Sequence, residues 1–220
     1  MAQRTRFLPP LALLVVTLPA AAQFEDPPAP NEEPSSYDTL FEQSDLGNVS
    51  QAARFAFSSG QRELQTAEKL AQKIAEAPAD KRAHLEEKRQ KALEGAAESF
   101  QEAIGYNAEL LDAYTGLGTA FRKLGRYEEA LQVHAKALQA DAGRDGDVRG
   151  WAGSMLGLNM LGDATVAYER LSASRPGQAA ILLDAMKEWL AEKQQDPGDL
   201  KPEDVQRMAD WIAQHEGAAG

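Results

Sequence analysis

Apolar positions recur at three- and four-residue steps along most of the chain. Leu64, Ala67, Leu70, Ala71 and Ile74 fall on one face of a helix. Pro78 ends that helix, because proline has no backbone donor and collides with the preceding turn. Leu85, Leu93, Ala96, Ala97, Phe100, Ala103 and Ile104 carry the same period through a second helix, predicted over residues 79–106. Lys81, Arg82, Glu86, Glu87, Lys88, Arg89 and Lys91 lie off that face. They mix both signs, as a solvated surface does rather than a basic binding patch. The pair predicts a long charged hairpin over residues 48–107. A helix over 79–106 would be about 42 Å long at ~1.5 Å per residue, against about 21 Å for a fourteen-residue helix. An Ala-rich seam of this length leaves self-association through the hairpin open.

The pattern tightens after Leu111. Tyr114, Leu117, Gly118 and Phe121 share one short helix, Gly125 closes it, and Tyr127 follows. Ala130, His134, Ala137 and Leu138 then mark a second helix. Gly118 and Ala130 are small enough for two antiparallel helices to approach closely, and the larger residues fill the gaps between neighbouring hairpins. These residues resemble the tetratricopeptide-repeat pattern W-x2-L-G-x2-Y…A-x3-F, with Tyr114 in the Trp slot and His134 in the Phe slot. Stepping back 34 residues carries Ala130, His134, Ala137 and Leu138 to Ala96, Phe100, Ala103 and Ile104. Stepping forward is predicted to need 37 residues. Tyr114 then reaches Trp151, Phe121 reaches Leu158, Gly125 reaches Gly162 and Ala130 reaches Ala167, with three extra residues in the Gly- and Asp-rich turn 141–147. The resemblance covers about residues 77–176. It implies an all-α, right-handed solenoid of helical hairpins with a concave surface for a polypeptide, and no reaction.

Lone helical hairpins cannot bury their apolar faces, so such an array needs caps. Ile181, Leu182, Leu183, Met186, Trp189 and Leu190 form a broad stripe suited to sealing the end. Pro202 opens a last helix, with Glu203 and Asp204 against its N-terminal dipole and Val205, Met208, Ala209, Trp211 and Ile212 on its buried face. Residues 108–176 are thus predicted as repeats and 177–220 as capping helices.

The first residues follow another logic. Arg4 and Arg6 precede an apolar run from Leu8 to Leu18, and Ala20-Ala21-Ala22 supplies small residues before Gln23. This order predicts a secretory signal peptide over 1–22, cleaved after Ala22. The run is short of the ~20 residues that span a bilayer, so no integral membrane segment is expected after cleavage. Residues 23–47 read as an acidic tether, with Pro27, Pro28, Pro30 and Pro34 among Glu25, Asp26, Glu32 and Glu33. Asn48-Val49-Ser50 fits a glycosylation sequon, relevant only in a eukaryotic host. A leader, a long hairpin, a few repeats and a last helix are together similar to the layout of small exported tetratricopeptide proteins of bacterial envelopes, which implies a periplasmic location.

Composition agrees with helix. Alanine supplies 39 positions while valine and isoleucine together supply 11, too few β-branched residues to cover a sheet. The formal charge of −11 argues against nucleic acid as a partner. With no cysteine there is no disulfide, thiolate metal site or Cys nucleophile.

Catalytic chemistry finds little support. His84, His134 and His215 lie on three different predicted helices, and no H-E-x-x-H occurs. His134 reads as a packed core histidine. Asp141, Asp145, Gly146 and Asp147 resemble a calcium loop only faintly, since Ala152 stands where a bidentate Glu is needed. Gly116-Leu117-Gly118 lies inside a helix, with Phe121 in the third glycine slot of a dinucleotide fingerprint. No cofactor and no enzymatic activity are expected.

Binding is the expectation instead. In the resembled fold the first helix of each hairpin lines the concave face. That assigns Asp112, Thr115, Thr119 and Arg122 from one hairpin, and Arg149, Ala152, Leu156 and Asn159 from the next. Arg122 and Arg149 suit an acidic or extended peptide. The sequence thus points to an exported adaptor that holds an unidentified protein or peptide. The alternative is a structural envelope protein that oligomerises through its hairpin.

Overall fold

Alanine and glycine set how closely the helices of this protein approach one another. A computed structural model describes residues 36–216, with side chains from Val49 onward. The predicted leader lies outside the described residues, as does the tether up to residue 35. Among the described residues there are eight helices and no strand: α1 (Ser36–Glu76), α2 (Ala79–Tyr106), α3 (Leu111–Lys123), α4 (Tyr127–Ala140), α5 (Asp145–Gly157), α6 (Leu161–Ser174), α7 (Pro176–Gln195) and α8 (Pro202–His215). The chain is all-α. None of these helices is long and apolar enough to cross a membrane.

α1 begins at Ser36, so the last part of the predicted tether is helical. The sequence reading extended the tether over residues 36–47 although Tyr37, Leu40 and Phe41 fall at helical spacing there. α1 and α2 form the long hairpin around Pro78. Ala53, Ala56 and Ala67 of α1 are buried, as are Leu93, Ala96, Ala97, Phe100 and Ala103 of α2. The charged outer face carries the exposed pair Lys91–Glu87 at 2.7 Å, with Glu four residues N-terminal to Lys, the favourable order on a helix. Its contacts hold the Glu87 carboxyl below its ordinary range, with the hydrogen bond from Lys91 as the main cause.

From α3 onward the chain repeats, and the period corrects the sequence reading. α3 begins at Leu111 and α5 at Asp145, while α4 begins at Tyr127 and α6 at Leu161, so both offsets are 34 residues rather than the predicted 37. The turns obey the same offset. Asn107 Oδ1 accepts from the Glu109 amide at 3.0 Å, and Asp141 Oδ1 accepts from the Gly143 amide at 2.8 Å. Both are Asx turns leading into the next helix.

Helix ends repeat as well. Gly125 (φ 75°) and Asn159 (φ 56°) are left-handed residues 34 apart. Gly125 donates to the Arg122 carbonyl and Arg126 to the Phe121 carbonyl. Asn159 donates to the Leu156 carbonyl and Met160 to the Met155 carbonyl. Each is a complete Schellman cap. Asn159 therefore takes the place of Gly125, and Gly162 does not: Gly162 is an exposed residue near the start of α6. Likewise Ala164, at 0% exposure, matches Ala130, whereas Ala167 is only half-buried. Trp151 matches Leu117 instead of Tyr114. Because glycine adopts a left-handed conformation without cost, Asn159→Gly should raise stability, by up to about 1 kcal/mol. Urea melts of the two proteins check this.

Two apolar clusters result. One gathers Phe100, Ala113, Leu117, Phe121 and Ala130 from α2, α3 and α4. The other gathers Leu156, Tyr168, Leu182, Met186, Trp189 and Ile212 from α5 to α8. α7 packs against both α5 and α6, and α8 lies against the same cluster. Tyr114 is half-buried, and Gly118, His134 and Ala137 are buried.

Candidate polypeptide-binding cleft

The joint between the two clusters is polar. His134 and Asp147 are both 0% exposed, and His134 Nδ1 lies 2.7 Å from Asp147 Oδ1. The other carboxylate oxygen accepts from Arg144 Nε at 2.7 Å and from Thr115 Oγ1 at 2.9 Å. Arg144 Nη2 also donates to Asp112 Oδ1 at 2.6 Å and to Thr115 Oγ1 at 2.9 Å. Burial alone would raise the Asp147 pKa. Hydrogen bonds from His134, Arg144 and Thr115 outweigh it, so the carboxyl titrates below its ordinary range. Ionised Asp147 therefore accepts the Nδ1 proton of His134. His134 Nε2 faces Gly118 and Gly150 and has no hydrogen-bond partner.

This joint gathers two of the residues expected on the groove. Asp112 and Thr115, both expected on the concave face, are held by Arg144. The joint was not legible beforehand: Asp147 sits in an acidic, Gly-rich stretch that reads as solvated turn. The available signal was Arg144 three residues before Asp147, an i,i+3 pair at the start of a helix.

A cleft of about 470 Å³ lies at the other end of α3, α5 and α7. Arg122, Arg149, Leu156 and Asn159, all assigned to the groove, line it together. Thr119 does not line it. Leu156 is 1% exposed and Ala152 is 0% exposed, so Leu156 is floor and Ala152 is core. Gly153 and Gly157 widen the α5 wall. A Cβ on Gly153 would come 3.3 Å from Arg122 Cδ, and one on Gly157 would come 2.5 Å from the Tyr127 ring. The far wall is Trp189, Glu188 and Lys193 of α7, with the turn 197–200 closing the end.

The polar inventory of the cleft is uneven. Arg149 pairs with Glu188 at 2.9 Å and Lys193 with Glu192 at 3.2 Å. Arg122 makes no ion pair among the described residues, and its Nε is buried without an acceptor. Trp189 is 7% exposed, and its indole Nε1 also lacks an acceptor. Both atoms are buried on residues that line the cleft. Sequence reasoning placed Trp189 in the core, where the structure has it, packed in the second apolar cluster. Among the described residues no cluster of three His or carboxylate side chains is placed to hold a metal ion. No family model, curated protein or solved structure matches the chain.

Proposed function

We propose that this chain is a non-enzymatic adaptor of tetratricopeptide type, exported to the cell envelope, that holds an extended polypeptide in the cleft between α3, α5 and α7. The observation that carries this reading is the open cleft of about 470 Å³ in which Arg122, Arg149, Leu156 and Asn159, all expected on the groove, come together. A polypeptide backbone offers a carbonyl acceptor at every residue, and the guanidinium groups of Arg122 and Arg149 lining the cleft are donors of the kind that bind it. The 34-residue helical period and the small residues at its contacts support the family assignment. The leader-like first 22 residues support export.

A photo-reactive residue in place of Glu192, on the cleft rim, tests the adaptor role in intact cells. It should capture a different polypeptide, and Arg122→Glu should reduce that capture at least tenfold, since a reversed charge repels the acceptor. The same residue in place of Arg54, exposed on α1, should capture nothing that depends on Arg122. Capture of copies of this chain alone would end the adaptor reading.

A further inference from the structure

The cleft leaves one charge of each sign unanswered. Three cations line it (Arg122, Arg149 and Lys193) against three carboxylates (Glu188, Glu192 and Asp199). Arg149 pairs with Glu188 and Lys193 with Glu192. Arg122 and Asp199 are left without an ion-pair partner among the described residues. They belong to different walls. Arg122 is on α3, Asp199 is in the turn after α7, and α5 packs against both α3 and α7.

That arrangement discriminates between occupants by charge. A purely acidic segment answers Arg122 but meets Asp199 with like charge, and a purely basic one does the reverse. An uncharged segment covers both groups and takes them from water with nothing in return. Only an occupant with one acid and one base answers both. The chain as a whole carries −11, so its field repels a net-acidic partner and draws one with a surplus of bases.

The span sets the spacing of the two charges. Packed helix axes are about 8–10 Å apart, so two such steps put α7 about 16–20 Å from α3. An extended chain rising ~3.3 Å per residue crosses that distance in about five or six residues. Tyr127 and Leu200, both half-buried, supply apolar surface along the way.

We infer that the α3–α5–α7 cleft selects an extended segment of mixed charge, with an acidic side chain on Arg122 and a basic one, about five residues away, on Asp199. This inference rests on the cleft being a polypeptide site, and it states which segments that site accepts.

The test uses the chain from Gln23, which holds every described residue, and three blocked hexapeptides. One has Glu and Lys at its two ends, one has Glu at both and one has Lys at both, with the same four uncharged residues between. NMR titration of the Gly153 and Gly157 amides reads binding in the cleft. The mixed peptide should bind at least tenfold more tightly than either of the others. Asp199→Lys should move the preference to the two-Glu peptide, and Arg122→Glu should move it to the two-Lys peptide. Damage to the fold would weaken all three peptides alike and could not exchange their order. Asp199 is exposed, so its replacement keeps the test open even if Arg122→Glu does not fold. Equal binding of the three peptides, binding of none, or a preference unmoved by Asp199→Lys overturns the inference. If it is overturned while capture from Glu192 still depends on Arg122, the adaptor reading stands. If that capture is absent too, both fall.

Discussion

Replacing Asp147 with alanine should cost this protein about 3–5 kcal/mol, the penalty typical of removing one partner from a buried charged pair. The carboxylate is fully buried and receives His134, Arg144 and Thr115 together. Its loss strands the His134 Nδ1 and Arg144 Nε donors at the junction of α3, α4 and α5. It also leaves a void that the surrounding helices cannot close. Thermal melts by circular dichroism should show a large drop in Tm. A change within 1 kcal/mol would mean that water reaches the joint and takes over the hydrogen bonds.

The same carboxylate sets an acid limit. Its folded pKa lies below the ordinary aspartate value. It therefore contributes stability in full above about pH 4, the unfolded value, and that contribution disappears as pH falls through the lower folded value. The parent should weaken on acidification below pH 4 more steeply than Asp147→Asn, which keeps the shape but has no proton to gain. Parallel curves would place the acid sensitivity elsewhere.

This joint also marks the boundary of what the sequence could disclose. The all-helical architecture was visible because alanine-rich apolar positions repeat at helical spacing, and because Pro78 and Gly125 end helices by their own backbone chemistry. The period between hairpins was misjudged. Trp151 attracted the slot of Tyr114 because both are large and aromatic, and that choice forced a 37-residue step. The structure places α5 by other means: an Asx turn at Asp141, then Arg144 and Asp147 reaching back to α3 and α4. Polar groups set this register, and an apolar pattern does not register them. The left-handed cap was hidden for a related reason, since Asn159 supplies what a search for glycine overlooks. In the cleft, the resemblance to a hairpin array, whose first helices line the concave face, brought Arg122 and Arg149 into view. The indole edge of Trp189 stayed out of sight, because a tryptophan in an apolar stripe reads as core whichever way its N–H points.

The corrected period exposes a recurring contact on which the second large prediction rests. Phe100 and His134 are 34 residues apart, and each ring is wedged between glycines of two different helices. A Cβ on Gly60 of α1 or Gly116 of α3 would come 2.9 or 2.4 Å from the Phe100 ring. A Cβ on Gly118 of α3 or Gly150 of α5 would come 2.6 or 2.2 Å from His134 Nε2. Gly116 and Gly150 are again 34 residues apart. One device thus fixes the spacing of successive hairpins: a flat ring enters where two backbones lack side chains. Neither ring can yield, since Phe100 is 1% exposed and His134 is tied to Asp147. Gly150→Ala and Gly116→Ala should therefore each destabilise by about 1–3 kcal/mol, the usual cost of overpacking, although alanine favours helix over glycine. Gly105→Ala is the control. It lies in α2 with nothing within 4 Å of the added carbon, so it should be neutral or stabilising by up to about 1 kcal/mol. A double-mutant cycle separates steric contact from helix propensity. Removing the ring with His134→Ala should make Gly150→Ala much less harmful, with a coupling of at least about 1 kcal/mol. Additive effects would show that the glycines are there for some reason other than the rings they face.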